Sequence, residues 1–193
     1  QWLNEFDWRT WETRLNSYPQ FLTEIDGQTI HFLHIKSKEP NAFPLVLTHG
    51  WPSSVIEFFE VIGPLSDPRA HGLDPALAFD LVIPSIPGYG FSPLSGPGWD
   101  SARIAKAWDA LMKGLGYARY GAQGGDLGAL ISKELGLLAP EGLAGVHLQQ
   151  IFAFPQGKPG EMETLTPFEL EGFKNLDKFQ EYSGYQPIQE KRP

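Results

Sequence analysis

The hydrophobic pattern of the chain changes several times between the alternation of a strand and the three- or four-residue spacing of a helix. Two alternating segments, 21–25 and 29–35, flank Asp26 and Gly27, and this arrangement predicts a β-hairpin. Four further runs predict strands at 45–48, 79–83, 120–123 and 143–148. Helical spacing separates these runs, so the pattern is typical of a mostly parallel sheet flanked by helices on both faces.

The predicted helices have recognisable ends. Ser54 and Glu57 have the spacing of a capping box, which predicts that a helix begins directly after Ser54. Asp100 is the expected N-cap of the next helix, and Gly116 is expected to end it. A third helix follows the run at 120–123 and ends before Pro140.

Three regions of the chain differ in composition. Residues 1–20 carry three tryptophans and one tyrosine among charged residues, and we expect them to form an N-terminal arm. Residues 21–150 hold the predicted strands and helices, and they form the first part of an α/β core. The sequence then turns to proline and glycine, followed by an acidic helical stretch at 167–182, so residues 151–193 are predicted to begin a helical lid.

Composition and charge narrow the classes of function. The chain has 193 residues, of which 21 are glycine and 17 are proline, so many tight turns are expected. A net charge of −8 argues against nucleic acid or anionic membrane as the partner. The absence of cysteine excludes disulfides, thiolate catalysis and cysteine metal sites. Without a long apolar run we expect the chain as given to be soluble, and the cytoplasm is the favoured compartment. The initial glutamine suggests a piece of a longer product, so an upstream membrane anchor stays open as an alternative.

Three loops of unusual sequence, at 49–52, 87–91 and 124–128, follow predicted strands. Ligands of parallel α/β sheets bind at the carboxyl ends of the strands. The sequence therefore predicts the functional site where these loops meet.

The last of these loops has the pattern small–x–nucleophile–x–small, in which Gly124 and Gly128 flank Asp126. Between a strand and a helix, this pattern is the nucleophile elbow of the α/β-hydrolases. The central residue adopts a strained backbone conformation, and a side chain at either flanking position would strike a neighbouring element. We therefore predict an α/β-hydrolase fold in which Asp126 is the nucleophile.

An aspartate at this position directs the chemistry to saturated carbon. A carboxylate that attacks an alkyl carbon forms an ester, which water can cleave, whereas a serine would leave an inert ether. The carboxylate needs no general base for its attack, and the N-terminus of the helix that begins at Leu127 favours the anion. The predicted reaction is the opening of an epoxide or the displacement of a halide by Asp126.

The glycine-rich loop is also compatible with two roles that involve no nucleophile. Asp126 could serve only as the N-cap of the following helix, or the glycines could cradle a phosphate. The phosphate hypothesis is weaker because no Lys-Ser or Lys-Thr follows the glycines, and a central carboxylate would repel the ligand. The N-cap hypothesis is decided by where the carboxylate points.

The loop His49-Gly50-Trp51-Pro52 follows the strand run at 45–48, where this fold places an oxyanion donor. We expect the backbone N–H groups of Trp51 and Leu127 to stabilise the oxyanion that forms when water attacks the Asp126 ester. One such donor contributes about 3 kcal/mol to catalysis in comparable sites. His49 is predicted to be a structural histidine bonded to backbone. The remaining histidines are predicted to be structural or solvated: His31, His34, His71 and His147.

Three motifs together closely resemble the microsomal-type epoxide hydrolases. They are His49-Gly50-Trp51-Pro52, Pro87-Gly88-Tyr89-Gly90-Phe91-Ser92 and Gln123-Gly124-Gly125-Asp126-Leu127-Gly128. The arm around 14–21 and the sequence Ser183-Gly184-Tyr185 are similar to the same family. The resemblance extends over essentially the whole chain, which would be the N-terminal part, roughly two-thirds, of such a protein.

The resemblance implies a set of roles for individual residues. Asp126 would be the nucleophile, and Tyr185 would be one of two lid tyrosines that polarise and protonate the epoxide oxygen. An apolar substrate pocket would be lined by Trp51, Tyr89, Phe91, Phe152 and Phe154. The expected partners are a small apolar epoxide and water, without a metal or an organic cofactor. Leu127 stands where family members often have tryptophan, which leaves the backbone donor in place.

The resemblance also implies that the second lid tyrosine, the acid and the catalytic histidine lie beyond the position that matches Pro193. The last strands of the sheet, which carry the acid and the histidine, would be absent too. We therefore expect the isolated chain to become alkylated once on Asp126 without completing turnover. A second polypeptide could complete the fold, and a homodimer is a further expectation.

Two rival functions fit parts of the sequence. A haloalkane dehalogenase also uses an elbow aspartate, and it binds the halide with N–H donors, typically indoles. Leu127 has no such donor at one obvious position, and Tyr185 suits an oxygen leaving group. The second rival is a non-catalytic interaction module with the same fold. An acid and a histidine in the downstream sequence would indicate an enzyme, and their absence would indicate the module.

Overall fold

The computed structural model describes residues 2–151, 157–184, 188 and 191. The chain divides into two compact units, Gln1–Phe152 and Ala153–Pro193. Within the described residues, none of the helices combines the length and the apolar character needed to cross a bilayer.

The first unit contains five α-helices and six strands among its described residues. The helices are α1 (Trp2–Glu5), α2 (Trp8–Asn16), α3 (Phe59–Ser66), α4 (Ser101–Gly114) and α5 (Leu127–Leu138). The strands are β1 (Gln20–Ile25), β2 (Gln28–Ile35), β3 (Phe43–Thr48), β4 (Phe79–Pro84), β5 (Tyr120–Gly124) and β6 (Leu143–Leu148). Short 3-10 turns lie at Val55–Phe58, Pro68–His71 and Pro75–Leu77. In the second unit, a 3-10 turn at Glu161–Thr164 precedes α6 (Pro167–Tyr182).

The six strands form one mixed sheet in the order β1-β2-β4-β3-β5-β6. The predicted hairpin, β1 with β2, is antiparallel, and β2 also pairs antiparallel with β4. The other four strands are parallel, as the alternation of strand and helix predicts. In the part of the chain that the structure describes, β6 is an edge strand, and most of its residues are exposed.

Helices cover both faces of the sheet because neighbouring residues of the buried strands point to opposite sides. On one face, Val46 and Val82 pack in a cluster with Trp108 of α4 and Leu135 of α5. On the other face, the cluster joins strand residues to the turn before α3 and to α3 itself: Leu33, Leu47, Leu81, Ile83, Phe58, Phe59 and Ile62. The prediction of an α/β fold with helices on both faces is confirmed.

The arm lies against α3. The Arg14 guanidinium donates a hydrogen bond to the Glu60 carboxylate at 2.7 Å, and the ring of Tyr18 is 5.0 Å from that of Phe59. The arginine is also stacked over the Phe59 ring at 5.2 Å. These contacts hold the start of the chain beside the helix that follows the loop at 49–52.

The capping box predicted for Ser54 and Glu57 is confirmed for Ser54 and wrong for Glu57. Ser54 does cap a helical turn, since its hydroxyl accepts a hydrogen bond from the N–H of Ile56 at 3.4 Å. That turn is a 3-10 segment, however, and the α-helix begins only at Phe59. Glu57 does not reach back to Ser54, because its carboxylate accepts a hydrogen bond from the N–H of Gly50 at 3.4 Å. A contact made by tertiary folding has replaced the local one.

The two flanking glycines of the elbow are sterically required. A Cβ built on Gly124 would overlap the backbone of Gly128 on α5, and one on Gly128 would overlap the carbonyl of Thr48 at the end of β3. The steric basis predicted for this pattern is confirmed. The absence of these two side chains lets the first turn of α5 lie directly against β3 and β5.

We expect Gly128→Ala to lower the free energy of unfolding by about 3 kcal/mol or more, because rigid backbone cannot move away from the added methyl group. The matched control is Gly136→Ala on the same helix, whose Cβ would lie 3.5 Å from the methyl groups of Val146. We expect this control to be stabilised by about 0.5–1 kcal/mol through its helix propensity. Urea unfolding of both variants measures the difference, and equal effects would contradict the steric argument.

Candidate active site

The site is assembled by the register of two parallel strands. Thr48 of β3 pairs with Gly124 of β5, so both strands end at the same level. Trp51, in the loop after β3, and Asp126, in the loop after β5, therefore face each other across the edge of the sheet. The loop after β4, which pairs with β3 on its other side, is the third loop expected at this edge.

Asp126 has the strained backbone that a nucleophile elbow requires. Its φ is 51° and its ψ is −121°, a combination that residues other than glycine rarely adopt. Helix α5 begins at the next residue, but the Asp126 side chain makes no capping hydrogen bond to it. Its Oδ1 instead accepts a hydrogen bond from the backbone N–H of Trp51 at 2.8 Å. The hypothesis that Asp126 serves only as an N-cap is therefore wrong.

Gly50 brings the loop after β3 close to the carboxylate. A Cβ at this position would lie 2.7 Å from the Cβ of Asp126 and 3.1 Å from its Oδ1. Any larger residue would push the two loops apart and break the bond from Trp51. The peptide bond between Trp51 and Pro52 is cis.

The carboxylate is exposed on a cavity of about 310 Å³. Its lining is formed by both loops, by the turn after Ser54 and by the residues after β6: Gly50, Trp51, Ser53, Glu57, Gly125, Asp126, Gln149 and Gln150. Among the described residues, no group of three or more His, Asp or Glu side chains is placed to hold a metal ion.

Tyr89 lies close enough to Asp126 for the charge of the carboxylate to act on the phenol. The pKa of the Tyr89 phenol is raised, mainly by burial and to a smaller extent by the negative charge of Asp126. The phenol ring packs edge-on against His49, with centroids 5.7 Å apart. The structure thus brings together Asp126, the Trp51 N–H and Tyr89.

Several predicted site residues lie elsewhere or are not described. Phe91 packs against His31, with ring centroids 5.1 Å apart, and its side chain is 57% exposed. Leu127 is the first residue of α5, and its N–H remains a predicted oxyanion donor. Three predicted site residues lie outside the described residues: Tyr185, Phe152 and Phe154.

The prediction that His49 is structural is confirmed. It is fully buried, its Nδ1 is 2.9 Å from the carbonyl of Gly50, and its Nε2 accepts a hydrogen bond from the N–H of Ile86 at 3.1 Å. Burial lowers the pKa of its imidazole. His31 is buried as well, with Ser85 Oγ and Gln20 Oε1 each 2.9 Å from one of its ring nitrogens.

Several residues that line the cavity are not predicted from the sequence. Gln149 and Gln150 directly follow β6, so the rule that sites form at strand carboxyl ends could have found them. Glu57 was assigned to a local cap, and its position in the cavity depends on the tertiary contact with Gly50. No local signal in the sequence distinguishes these two roles.

Comparison with family models gives two matches. Residues 1–58 match the model described as the epoxide hydrolase N terminus, and residues 44–180 match the alpha/beta hydrolase fold. The second match covers most of the chain and includes the site.

Individual relatives agree with these models. The chain is 47% identical over 194 residues to a putative epoxide hydrolase of Stigmatella aurantiaca, and 37% identical over 214 residues to epoxide hydrolase 1 of Oryctolagus cuniculus. Both alignments include 100% of this chain but only 44% and 46% of the relatives. The chain thus spans less than half the length of these relatives, not the two-thirds expected from the sequence.

A solved structure supports the same assignment. The epoxide hydrolase of Aspergillus niger superposes with a TM-score of 0.69 at 41% identity, covering 93% of this chain and 46% of that protein. Fold, elbow geometry and sequence similarity agree: the chain belongs to the α/β-hydrolase fold family, and over its whole length it is similar to epoxide hydrolases.

Proposed function

We propose that the chain supplies the nucleophilic part of an epoxide hydrolase active site, which converts an epoxide and water into a vicinal diol. The observation that carries this proposal is the 2.8 Å hydrogen bond from the Trp51 N–H to Asp126 Oδ1. It occupies one carboxylate oxygen and leaves Oδ2 as the nucleophile.

In the first step, Oδ2 of Asp126 attacks an epoxide carbon, and the bond from that carbon to the ring oxygen breaks. The product is an alkyl ester on Asp126 and an alkoxide, which takes a proton. By family resemblance, the phenol of Tyr185 would donate this proton. A small apolar epoxide would be held beside Trp51 and Tyr89, with Phe91, Phe152 and Phe154 as further predicted wall residues.

In the second step, water attacks the carboxyl carbon of the ester. The oxyanion then develops on Oδ1, the atom that the Trp51 N–H already contacts, and the predicted second donor is the N–H of Leu127. Collapse of this intermediate breaks the ester bond and releases the diol. The two ring nitrogens of His49 are engaged with backbone, so we assign the activation of water to a histidine from the part of the family fold that this chain does not match.

The proposal is favoured over the two rival functions. The named relatives are epoxide hydrolases, which gives no support to a haloalkane dehalogenase. A non-catalytic module would have no need for a strained aspartate at a cavity with a backbone donor on its carboxylate. Strain of this kind is retained where the chemistry requires it.

We also propose that a second polypeptide segment completes the sheet beyond β6. A groove of about 600 Å³ lies on the sheet face beside α3, lined largely by apolar side chains that include Leu45, Leu47, Phe58, Val61 and Phe79. It ends near β6, the edge strand of the described sheet. The occupant that fits is the part of the epoxide hydrolase fold that the chain does not match, since the alignments cover only 44–46% of the relatives.

The covalent step can be detected as a change in the mass of the chain. Incubation of the chain with excess styrene oxide is expected to add the mass of one epoxide, because Asp126 becomes esterified and no base activates water. Peptide mapping should locate the adduct on Asp126, and Asp126→Asn should remain unmodified in intact-mass spectra. The formation of many diol molecules per chain would contradict the hypothesis that the isolated chain lacks a base to activate water. Halide release from 1-bromobutane, without any adduct from styrene oxide, would favour a haloalkane dehalogenase.

Completion of the fold can be tested with a second polypeptide. The chain is mixed with a polypeptide comprising the part of the Stigmatella aurantiaca relative that it does not match, and diol formation from styrene oxide is measured. We expect turnover in the mixture and in neither component alone. Val61→Glu places a charge in the groove and should abolish this turnover.

The matched control for that variant is Leu77→Glu. Leu77 is also exposed and apolar but does not line the groove, so its substitution should leave turnover in the mixture intact. Equal loss in both variants, or full activity in both, would show that the groove does not receive the second segment.

A further inference from the structure

The peptide that joins Gly50 to Trp51 has its hydrogen-bonding groups engaged at both ends. Its N–H is the donor to Asp126 Oδ1, at 2.8 Å. Its carbonyl oxygen lies 2.9 Å from Nδ1 of His49. Because a trans peptide is planar, with its N–H and C=O pointing in opposite directions, a group that holds one end also fixes the direction of the other.

Gly50 makes such a restraint necessary. A Cβ at this position would collide with Asp126, so only glycine lets the loop reach the carboxylate. Glycine also has the widest choice of backbone angles, and a rotation of the peptide would turn its carbonyl oxygen toward the carboxylate. Two like partial charges would then face each other, and the oxyanion donor would be lost. The residue that allows the approach therefore also allows the wrong orientation.

His49 has the protonation state needed to prevent this rotation. The N–H of Ile86 donates to Nε2 of His49 at 3.1 Å, so this nitrogen carries no proton. In the neutral ring the proton is then on Nδ1, which donates it to the carbonyl of Gly50. The ring is fully buried, and burial lowers the pKa of the imidazole, which supports the neutral form.

We propose that His49 is a positioning residue that orients the Gly50–Trp51 peptide, so that its N–H points at the carboxylate of Asp126. The backbone N–H of Ile86, in the loop after β4, sets the tautomer that makes His49 a donor to this peptide. The catalytic meaning of this role rests on the proposed function. The orientation itself is a property of the folded chain and can be measured without an epoxide.

Two substitutions separate the two hydrogen bonds of His49. The amide nitrogen of His49→Asn lies where Nδ1 was and can still donate to Gly50. The amide oxygen of His49→Gln lies where Nε2 was and can still accept from Ile86, but the donor to Gly50 is lost. If His49 only filled space, the two variants would have the same effect on the Trp51 amide.

The readout is the amide signal of Trp51. Labelling with ¹⁵N-tryptophan and ¹³C′-glycine selects only the two Gly–Trp peptides of the chain, 50–51 and 98–99. Asp126→Asn identifies the Trp51 signal, because it removes the charge from the acceptor. We expect His49→Asn to keep the Trp51 amide shift, and His49→Gln to move it toward that of Asp126→Asn, with about tenfold faster amide exchange.

His34→Asn is the matched control. His34 is a half-buried histidine whose Nε2 is 2.8 Å from the hydroxyl of Tyr117, away from the loop at 49–52. We expect it to lower the thermal unfolding midpoint without moving the Trp51 signal. If both His49 variants move the signal equally, or neither moves it, the proposal is overturned.

A measurement on the unsubstituted chain covers the case in which His49→Gln does not fold. The ¹⁵N spectrum of the imidazole should show a protonated Nδ1 and an unprotonated Nε2. A scalar coupling across the hydrogen bond should connect this Nε2 with the amide of Ile86. A protonated Nε2 would overturn the proposal. The rate of Asp126 alkylation by styrene oxide should also fall in His49→Gln and persist in His49→Asn, whereas absence of alkylation in the unsubstituted chain would overturn only the proposed function.

Discussion

The hydrogen bond from the Trp51 N–H to Asp126 Oδ1 is the interaction on which the arrangement of the site depends. It joins the loops that follow two neighbouring parallel strands, β3 and β5, and it requires those strands to end at the same level. It also requires the close approach that Gly50 permits. Sheet register, loop length and residue size are thus all constrained by one contact about 2.8 Å long.

The strained backbone of Asp126 is stable because the elements around it leave no alternative. Helix α5 starts at the next residue and lies against the end of β3, where Gly128 faces the carbonyl of Thr48 without a side chain between them. Relaxing the strain would move this helix, whose Ile131 and Leu135 are buried in the core. A local cost of about 1–3 kcal/mol is therefore offset by packing that the helix cannot lose.

Much of the fold and the centre of the site could be predicted from the sequence, because those features follow from local patterns. The strands, the hairpin and the elbow each have a signature within about ten residues, and the parallel order follows from their alternation. Glu57 and Phe91 could not be placed in this way. Glu57 fits a local cap but bonds to Gly50, and Phe91 belongs to a motif loop but packs on His31. In both cases a contact between distant segments competes with the local preference.

The site also accounts for the adjacent glycine and histidine in the loop after β3. Close approach of a backbone N–H to a carboxylate needs a residue without a side chain, and that residue gives the loop its freedom to rotate. The preceding side chain is well placed to remove this freedom, because it reaches the carbonyl of the same peptide and is itself held by the N–H of Ile86. The Trp51 donor, its proposed restraint His49 and the proposed nucleophile Asp126 all lie between residues 49 and 126. In the proposed function, the groups that would attack an epoxide therefore all belong to this chain, whereas the histidine that would activate water is assigned to the part of the family fold that the chain does not match.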